Sequence, residues 1–353
     1  MITIGVDAHK RVHVALALDE AGCEIGRWEG PNNSVGWRGL TEWALGLDSD
    51  RRWGIEGAWG YGRGLAQQLV TAGGAVFEVN ARWTAFGRRS ARKPGKTDRL
   101  DARAIALLVR QEASTLPRVL PEDHTAVLNL LSTEREGAVA EATRLRNQIH
   151  ALLLHLDPEY QARLRILKSP ATLAALENYA APNGGPLQQA RAAAVRRLAQ
   201  RLRLALTQAE ELTNRIRDSA AADFSPLTRL CGVNLLTAGT LAGILGPGHR
   251  FATDAQLAAY AGVAPLEASS AGYVRHRLNR GGNRRLNAVL YRIALTQARH
   301  SVEARAYLDR RVAEGKTRRE AIRALKRFII RAIWRLWQEC RPISNTTFAE
   351  NAA

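Results

Sequence analysis

The hydrophobic pattern of the chain changes at about residue 122, and this change limits the possible folds more than any other feature. Before it, short runs of alternating polar and apolar residues are interspersed with helical stretches and turns. After it, apolar residues recur every three or four positions, which is the helical period. The pattern predicts an α/β domain followed by helical parts. The 353 residues suffice for two or three domains with their own cores.

The first part of the chain predicts three short strands followed by alternating helices and strands. The three strands, separated by turns, are predicted as an antiparallel meander at 2–7, 12–18 and 23–29. The elements that follow are a helix at 34–46, a strand at 51–56, a helix at 61–72, a strand at 75–79 and a helix at 97–113. This is the order of elements in the ribonuclease H-like α/β fold. We therefore predict such a domain over residues 1–118.

Two seams of apolar residues mark a helical middle region, predicted over residues 119–222. The first comprises Leu128, Leu131, Ala138, Ala142, Leu145, Ile149, Leu152 and Leu156. The second comprises Val195, Leu198, Leu202, Ala205, Ala209, Leu212 and Ile216. Steps of three and four predict a helical hairpin or a coiled coil, with the bend between Pro170 and Pro186. The seams suit the core of one protomer and a self-association surface equally well.

The last region, predicted as a mostly α domain over residues 223–345, begins with a helix–turn–helix pattern. Its segment CGVNLLTAGTL at 231–241 is similar to a helix-hairpin-helix, which holds the DNA backbone through the amides of a glycine turn. Asn234 stands where the second glycine is usual. Asn tolerates the left-handed conformation that such a turn requires. A polar, arginine-rich loop at 264–285 and a basic helical run at 316–335 follow.

The balance of charge favours a polyanionic partner. The chain carries 51 Lys and Arg against 33 Asp and Glu, a net charge of +18. Such an excess is typical of nucleic-acid-binding proteins, and arginine, which predominates here, binds phosphate with two donors.

Cysteine usage and hydropathy predict a cytoplasmic protein. Cys23, Cys231 and Cys340 are odd in number and far apart, which excludes a disulfide framework and a Cys-x-x-Cys zinc site. His9 and His13 lie on strand-like residues, so we expect no zinc site there either. No apolar stretch reaches 18 residues. We therefore expect neither a signal peptide nor a membrane span.

Four acidic residues are placed for a metal site. Asp7 and Glu56 end the first and fourth strands, which are neighbours in a ribonuclease H-like sheet. Asp98 and Asp101 are three residues apart at a helix start, on one face. Four converging carboxylates need a cation, and two Mg²⁺ ions would also stabilise the attacking and leaving oxygens of a phosphodiester. Individually, each residue could be only a turn former or helix cap. Glu78, at another strand end, is the weaker substitute for Glu56.

Three motifs containing these residues resemble one family. GVDAHK at 5–10, GIEG at 54–57 and KTDRLDARAIA at 96–106 closely resemble the acidic motifs of the DEDD transposases of the insertion sequence 110 family. The resemblance implies a RuvC-like nuclease domain, similar to that of Holliday-junction resolvases. It also implies recombination of donor and target DNA guided by a structured bridge RNA.

The second half of the chain resembles the same family. LAAYAGVAPLEASSAGYVRHRLNRGGNRRLN at 257–287 is similar to its C-terminal domain, in which a serine follows a proline by five residues. Counting from Pro265, the resemblance implies that Ser270 is the nucleophile that joins DNA covalently. Ala271 replaces the usual glycine, and Ser269 is the alternative nucleophile. We predict that five nearby arginines hold phosphates: Arg275, Arg277, Arg280, Arg284 and Arg285.

Three hypotheses remain open from the sequence. The first is a recombinase that uses the carboxylates and Ser270, with metal activating the serine because no histidine lies at triad-like spacing. The second is a structure-selective nuclease that uses water. The third is a non-catalytic nucleic-acid-binding scaffold whose acidic residues only cap helices. For the recombinase, we expect a homodimer or tetramer, since strand exchange joins two duplexes.

Overall fold

The computed structural model describes residues 1–80, 98–164, 167–181, 184–247, 250–267, 276–277 and 281–340. The chain divides into two compact units. The first comprises residues 1–123, 230–232 and 245–353, and the second comprises residues 124–229 and 233–244. The residues predicted as the nuclease domain and most of those predicted as the C-terminal domain therefore belong to one unit.

The first unit contains a five-stranded mixed sheet. Its strands are β1 Ile2–Ala8, β2 Val12–Leu18, β3 Glu24–Pro31, β4 Arg51–Glu56 and β5 Ala75–Val79, in the spatial order β3-β2-β1-β4-β5. The first three strands form the predicted antiparallel meander, while β4 and β5 run parallel to β1. All five predicted strands are thus confirmed within one or two residues at their ends. The sheet is compatible with the predicted ribonuclease H-like fold.

In the described part of residues 1–123, three helices accompany the sheet: α1 Ser34–Leu45, α2 Arg63–Thr71 and α3 Asp98–Glu112. The side chain of Asn33 caps α1 by accepting hydrogen bonds from the N–H groups of Val35 and Gly36. Apolar residues from the sheet, α1 and α2 form one buried cluster that includes Ile4, Trp53, Leu40 and Leu65. A smaller cluster joins β2 to α3 through Leu16, Leu18, Ala102 and Ala106. Burial of these side chains is the main force that holds the helices against the sheet.

The second unit is helical. Its helices are α4 His124–Leu156, α5 Pro158–Arg163, α6 Pro170–Glu177, α7 Pro186–Asp223, a 3-10 turn at Ser225–Arg229 and most of α8 Leu235–Leu245. The two long helices, α4 and α7, pack together, and most of the predicted seam residues are buried within the chain. Three seam positions, Ala138, Leu152 and Leu198, are only partly buried, whereas Leu153 and Ala199, which follow Leu152 and Leu198, are fully buried. The contacts thus form the predicted helical hairpin.

Asn234 begins α8, in the segment predicted as a helix-hairpin-helix. Its side-chain oxygen accepts a hydrogen bond from the N–H of Thr237 at 2.9 Å, which is the contact of an N-cap residue. Gly232, two residues earlier, has φ of 90°, so the chain does turn at a glycine there. The DNA-binding role of this turn stays a prediction.

The remaining elements of the first unit are mainly helical: α9 Asp254–Tyr260, β6 Leu266–Glu267, β7 His276–Arg277, α10 Arg284–His300, α11 Val302–Ala313 and α12 Arg318–Glu339. The apolar face of α12 buries Ile322, Ile329, Ile330 and Ile333, and this helix packs against α9, α10 and α11. Across the described ranges, no helix is both long and apolar enough to cross a bilayer.

Candidate active site

Asp7 and Glu56 lie opposite each other at one edge of the sheet. They are register partners in the parallel pair of β1 and β4. Since side chains at paired positions of neighbouring strands lie on the same face, both carboxylates point to one side. Asp7 is buried, with 5% of its surface exposed, and Glu56 is half-buried.

Helix α3 brings Asp98 and Asp101 to this edge. Gly5 permits the approach because a Cβ atom there would overlap the backbone of Ala102 and Ala106. Three arginines of α3 donate hydrogen bonds to the β2–β3 hairpin. Arg99 donates to the Glu24 carboxylate, Arg103 to the Gly22 carbonyl and Arg110 to the Glu20 carbonyl. As a result Asp101 is buried, whereas Asp98 is exposed.

His9 also lies in this site. Its Nε2 is 3.2 Å from Asp7 Oδ2 and 3.6 Å from Asp98 Oδ1. One potential ligand atom from each of Asp7, His9 and Asp98 falls within a group less than 4.8 Å across. Glu56 and Asp101 are outside this tight group among the described residues but act on Asp7 electrostatically. From the sequence, His9 was considered only together with His13 as an improbable zinc ligand, and its place beside the carboxylates was not predicted, although its spacing of two from Asp7 at a strand end was the available signal.

The pKa of Asp7 reflects both its burial and the charged groups around it. Burial raises the pKa of Asp7 from 3.8 to about 6. His9 opposes this rise in pKa, while the negative charges of Glu56, Asp101 and Asp98 add to it. Each of these charges therefore disfavours the ionised form of Asp7.

This chemistry fits a divalent cation. Carboxylate oxygens are the ligands that Mg²⁺ prefers, and a cation would favour the ionised form of Asp7, which burial and, to a smaller extent, the neighbouring carboxylates disfavour. The residues available to hold it are Asp7, Glu56, Asp98 and Asp101, with His9 beside them.

Glu78, the alternative to Glu56, is engaged elsewhere. It is the register partner of Ile55 on β5, and its carboxylate accepts hydrogen bonds from Arg250 at 2.5 Å and from Trp59 at 3.1 Å. Arg250 is buried. Glu78 therefore takes part in a structural ion pair within the first unit.

The segment after residue 280 approaches the same sheet edge. Asn80 follows β5 directly, and its side chain donates a hydrogen bond to the Gly281 carbonyl at 3.3 Å. Val79, the residue before Asn80, is the register partner of Glu56. Asn283 caps α10, which places the exposed Arg284 and the half-buried Arg285 in its first turn. The start of α10 thus lies at the edge that bears the carboxylates.

Several predicted site residues fall outside the described residues. These are Ser269, Ser270, Arg275 and Arg280. Arg277 belongs to β7, where only the backbone is described.

Two family models match the chain in order. One, described as a transposase and covering the DEDD transposases of IS110, matches residues 4–158, which contain all four carboxylates. The other, described as the transposase IS116/IS110/IS902 family, matches residues 225–309.

Individual relatives are proteins of insertion elements. The chain is 31% identical over 280 residues to the insertion element IS110 uncharacterized 43.6 kDa protein of Streptomyces coelicolor, covering 66% of this chain and 68% of the relative. It is 25% identical to the insertion element IS900 uncharacterized 42 kDa protein of Mycobacterium paratuberculosis, over 95% of both chains. It is also 25% identical to the transposase for insertion sequence element IS1328 of Yersinia enterocolitica, over 63% of this chain and 64% of that one. By these matches, the chain belongs to the transposase family of insertion sequence 110.

Proposed function

We propose that this protein cleaves and rejoins DNA strands with its carboxylate cluster and a serine nucleophile. The observation that carries the proposal is the pairing of Asp7 with Glu56 at one sheet edge, with Asp98 and Asp101 presented by α3. Acidic residues that merely cap helices would not be expected to include Asp7, which lies on a strand and whose pKa is raised by burial and, to a smaller extent, by three other carboxylates.

Asp7, Glu56, Asp98 and Asp101 would hold Mg²⁺, as one ion or two. When bound, Mg²⁺ supplies positive charge that stabilises the phosphorane-like transition state and lowers the pKa of a hydroxyl ligand. Asp7 and Asp101 are buried, so they act as fixed ligands, while exposed Asp98 faces solvent and incoming DNA. His9, between Asp7 and Asp98, orients both carboxylates.

The proposed nucleophile is the Ser270 hydroxyl, with Ser269 as the alternative. Its oxygen forms a bond to a DNA phosphorus atom as the bond from phosphorus to the leaving oxygen breaks. The hydroxyl proton ends on that leaving oxygen through solvent. The position of Gly281 supports this assignment, because the segment containing Ser270 ends next to Asn80 at the carboxylate edge. Arg275, Arg277, Arg280, Arg284 and Arg285 would bind the surrounding phosphates.

The proposed partners are donor and target DNA, a structured guide RNA and further copies of this chain. The net charge of +18 supports binding to nucleic acid. A dimer or tetramer would bring two duplexes together. Sedimentation of the nucleic-acid complex at micromolar protein concentration tests this, and a strict monomer would contradict it.

A complementation experiment tests the two halves of the proposed site. Asp7→Ala protein and Ser270→Ala protein are each incubated with DNA, RNA and Mg²⁺, alone and mixed, and denatured samples are probed for a protein–DNA adduct. We expect the adduct with the wild type and with neither variant alone. The family resemblance implies a composite site in which one protomer supplies the serine and another the carboxylates. The mixture should then restore some adduct.

Other outcomes have separate meanings. If Ser269→Ala loses the adduct and Ser270→Ala retains it, Ser269 is the nucleophile. If the mixture stays inactive although each variant folds, both halves of the site come from one protomer. If both serines can be removed while Mg²⁺-dependent cleavage persists, water is the nucleophile and the serine proposal is wrong.

A further inference from the structure

Helix α12 carries a row of five arginines at steps of four residues. The row consists of Arg319, Arg323, Arg327, Arg331 and Arg335, and we call it the arginine ladder. Residues four apart are neighbours on a helix surface, and each step turns about 40° around the axis, so the row winds over about 160° from Arg319 to Arg335. At about 1.5 Å per residue, the ladder is about 24 Å long.

The ladder lies along the solvent-exposed part of the α12 surface. The apolar side of α12 is buried and includes Ile322, Ile329 and Ile333. Four of the five ladder arginines are exposed, and Arg327 is partly buried. The row is therefore accessible to solvent along a helix that its apolar side holds in place.

The available carboxylates do not neutralise the ladder. Asp254 accepts a hydrogen bond from Arg327 at 2.8 Å and another from Arg331 at 3.2 Å. Glu320 is 3.6 Å from Arg323. Within the described ranges, no carboxylate lies within 4.0 Å of the two end arginines, Arg319 and Arg335. Like charges four residues apart destabilise a helix, so a polyanion bound along the row would relieve the repulsion.

An exposed aromatic ring stands beside the ladder. Phe328 directly follows Arg327, and 52% of its surface is open to solvent. Its ring contacts Tyr307 of α11 edge to face, with centroids 5.2 Å apart. The contact holds the ring in place while half of its surface stays accessible. A fixed, exposed aromatic ring next to a row of cations can stack on a nucleic-acid base.

We propose that the arginine ladder and Phe328 form a binding surface for a single strand of nucleic acid. The arginines would contact successive phosphates, whose spacing along a strand is comparable to the 5–6 Å between neighbouring side chains of the row. Phe328 would stack on an unpaired base. A duplex keeps its bases stacked inside, so the aromatic ring favours a single strand. This proposal does not depend on the carboxylate chemistry.

Paired triple variants test the ladder. Arg319, Arg323 and Arg335 are changed together to Gln, which leaves both contacts of Asp254 intact. The matched control changes Arg38, Arg215 and Arg217 to Gln, three exposed arginines on α1 and α7. Affinities for labelled 12-nucleotide single strands, of DNA and of RNA, and for a 12-base-pair duplex are measured in EDTA over a range of salt concentrations.

We expect the ladder variant to lose at least tenfold in affinity for single strands and the control less than threefold. The log–log salt slope should become less steep by about 2, at about 0.7 per lost phosphate contact. Equal losses in the two triple variants would overturn the proposal, because net charge alone would then explain binding. A ladder variant that loses duplex binding as strongly as single-strand binding would also overturn it.

Phe328 provides a second test that leaves the charge unchanged. Phe328→Leu should weaken single-strand binding about fivefold and duplex binding less than twofold, while Phe328→Trp should retain both. Thermal melting shows that each variant is folded. Unchanged single-strand affinity in a folded Phe328→Leu protein would overturn the stacking role. Because these assays need no metal and no cleavage, their failure is distinct from failure of the proposed recombination chemistry.

Discussion

Arg250 donates a hydrogen bond from Nη2 to Oε2 of Glu78 over 2.5 Å, which ties a residue after the long helices to strand β5. The guanidinium lies about 5 Å from the ring centroids of Trp59, Phe251 and Tyr260. Tyr260 in turn accepts a hydrogen bond at its hydroxyl from Asn283, the N-cap of α10. A single buried cation thus connects the sheet to the helix start that carries Arg284 and Arg285.

Removing Glu78 should destabilise the protein strongly. Glu78→Ala leaves the Arg250 guanidinium buried without its carboxylate, and we expect a loss of roughly 3–5 kcal/mol in the free energy of unfolding. Chemical denaturation measures this loss. Glu141→Ala is the matched control, because its ion pairs with Arg144 and Arg201 are on the surface and should contribute less than about 1 kcal/mol. Equal effects of the two substitutions would show that the pair of Glu78 and Arg250 contributes no more to stability than a surface ion pair.

Gly5→Ala should separate α3 from β1. The added Cβ would overlap the backbone of Ala102 and Ala106, which cannot move without shifting the helix that carries Asp98 and Asp101. We expect the free energy of unfolding to fall by about 2 kcal/mol or more, with weaker binding of Mn²⁺ or Mg²⁺ by calorimetry.

Gly137→Ala is the control for this substitution. Gly137 lies in α4, where a Cβ meets no atom within 4 Å, so alanine should stabilise the helix by about 0.5–1 kcal/mol. A Gly5→Ala protein as stable as the wild type would show that the helix and strand can separate without cost.

Asp7→Asn should stabilise the metal-free protein at neutral pH. The folded-state pKa of Asp7 is raised to about 6 from 3.8, so the folded protein binds this proton more tightly than the unfolded chain. The stability of the wild type therefore falls as pH rises from about 4 to about 6. We expect Asp7→Asn to lack this fall and to exceed the wild type at pH 7 by on the order of 2 kcal/mol in EDTA. An Asp7→Asn protein less stable than the wild type under these conditions would contradict the prediction.

Mg²⁺ or Mn²⁺ should raise the melting temperature of the wild type through the carboxylate cluster. Alanine at Asp7, Glu56, Asp98 or Asp101 should reduce this shift and bring strand cleavage to background while the protein stays folded. Asp309→Ala removes an exposed carboxylate of α11 and should change neither measurement. If any one of the four variants cleaves DNA at the wild-type rate, the residue changed in that variant is not part of the catalytic site.

The sequence was informative where local pattern decides structure. Short β-type segments separated by turns and helices predicted all five strands, and the three-and-four period predicted the long helices α4 and α7. Because β1 and β4 are neighbours in the predicted sheet, the placement of Asp7 beside Glu56 could also be anticipated. The sequence pattern placed Leu152 in the buried seam, but Leu153 is the residue that is fully buried. A straight helix has 3.6 residues per turn, so its buried face shifts gradually away from a strict repeat of three and four residues.

The sequence by itself determined the order of elements, the excess of positive charge and the residue types that can hold a metal. Only the tertiary structure decided between Glu56 and Glu78 as the second strand-end carboxylate of the site. The Glu78 carboxylate is paired with Arg250, which is 172 residues away in the chain. It likewise placed His9 between Asp7 and Asp98 and brought Gly281 to Asn80. The physical reason is that hydrophobic period and turn chemistry act over a few neighbouring residues. Ion pairs and hydrogen bonds between distant segments depend instead on how the whole chain packs.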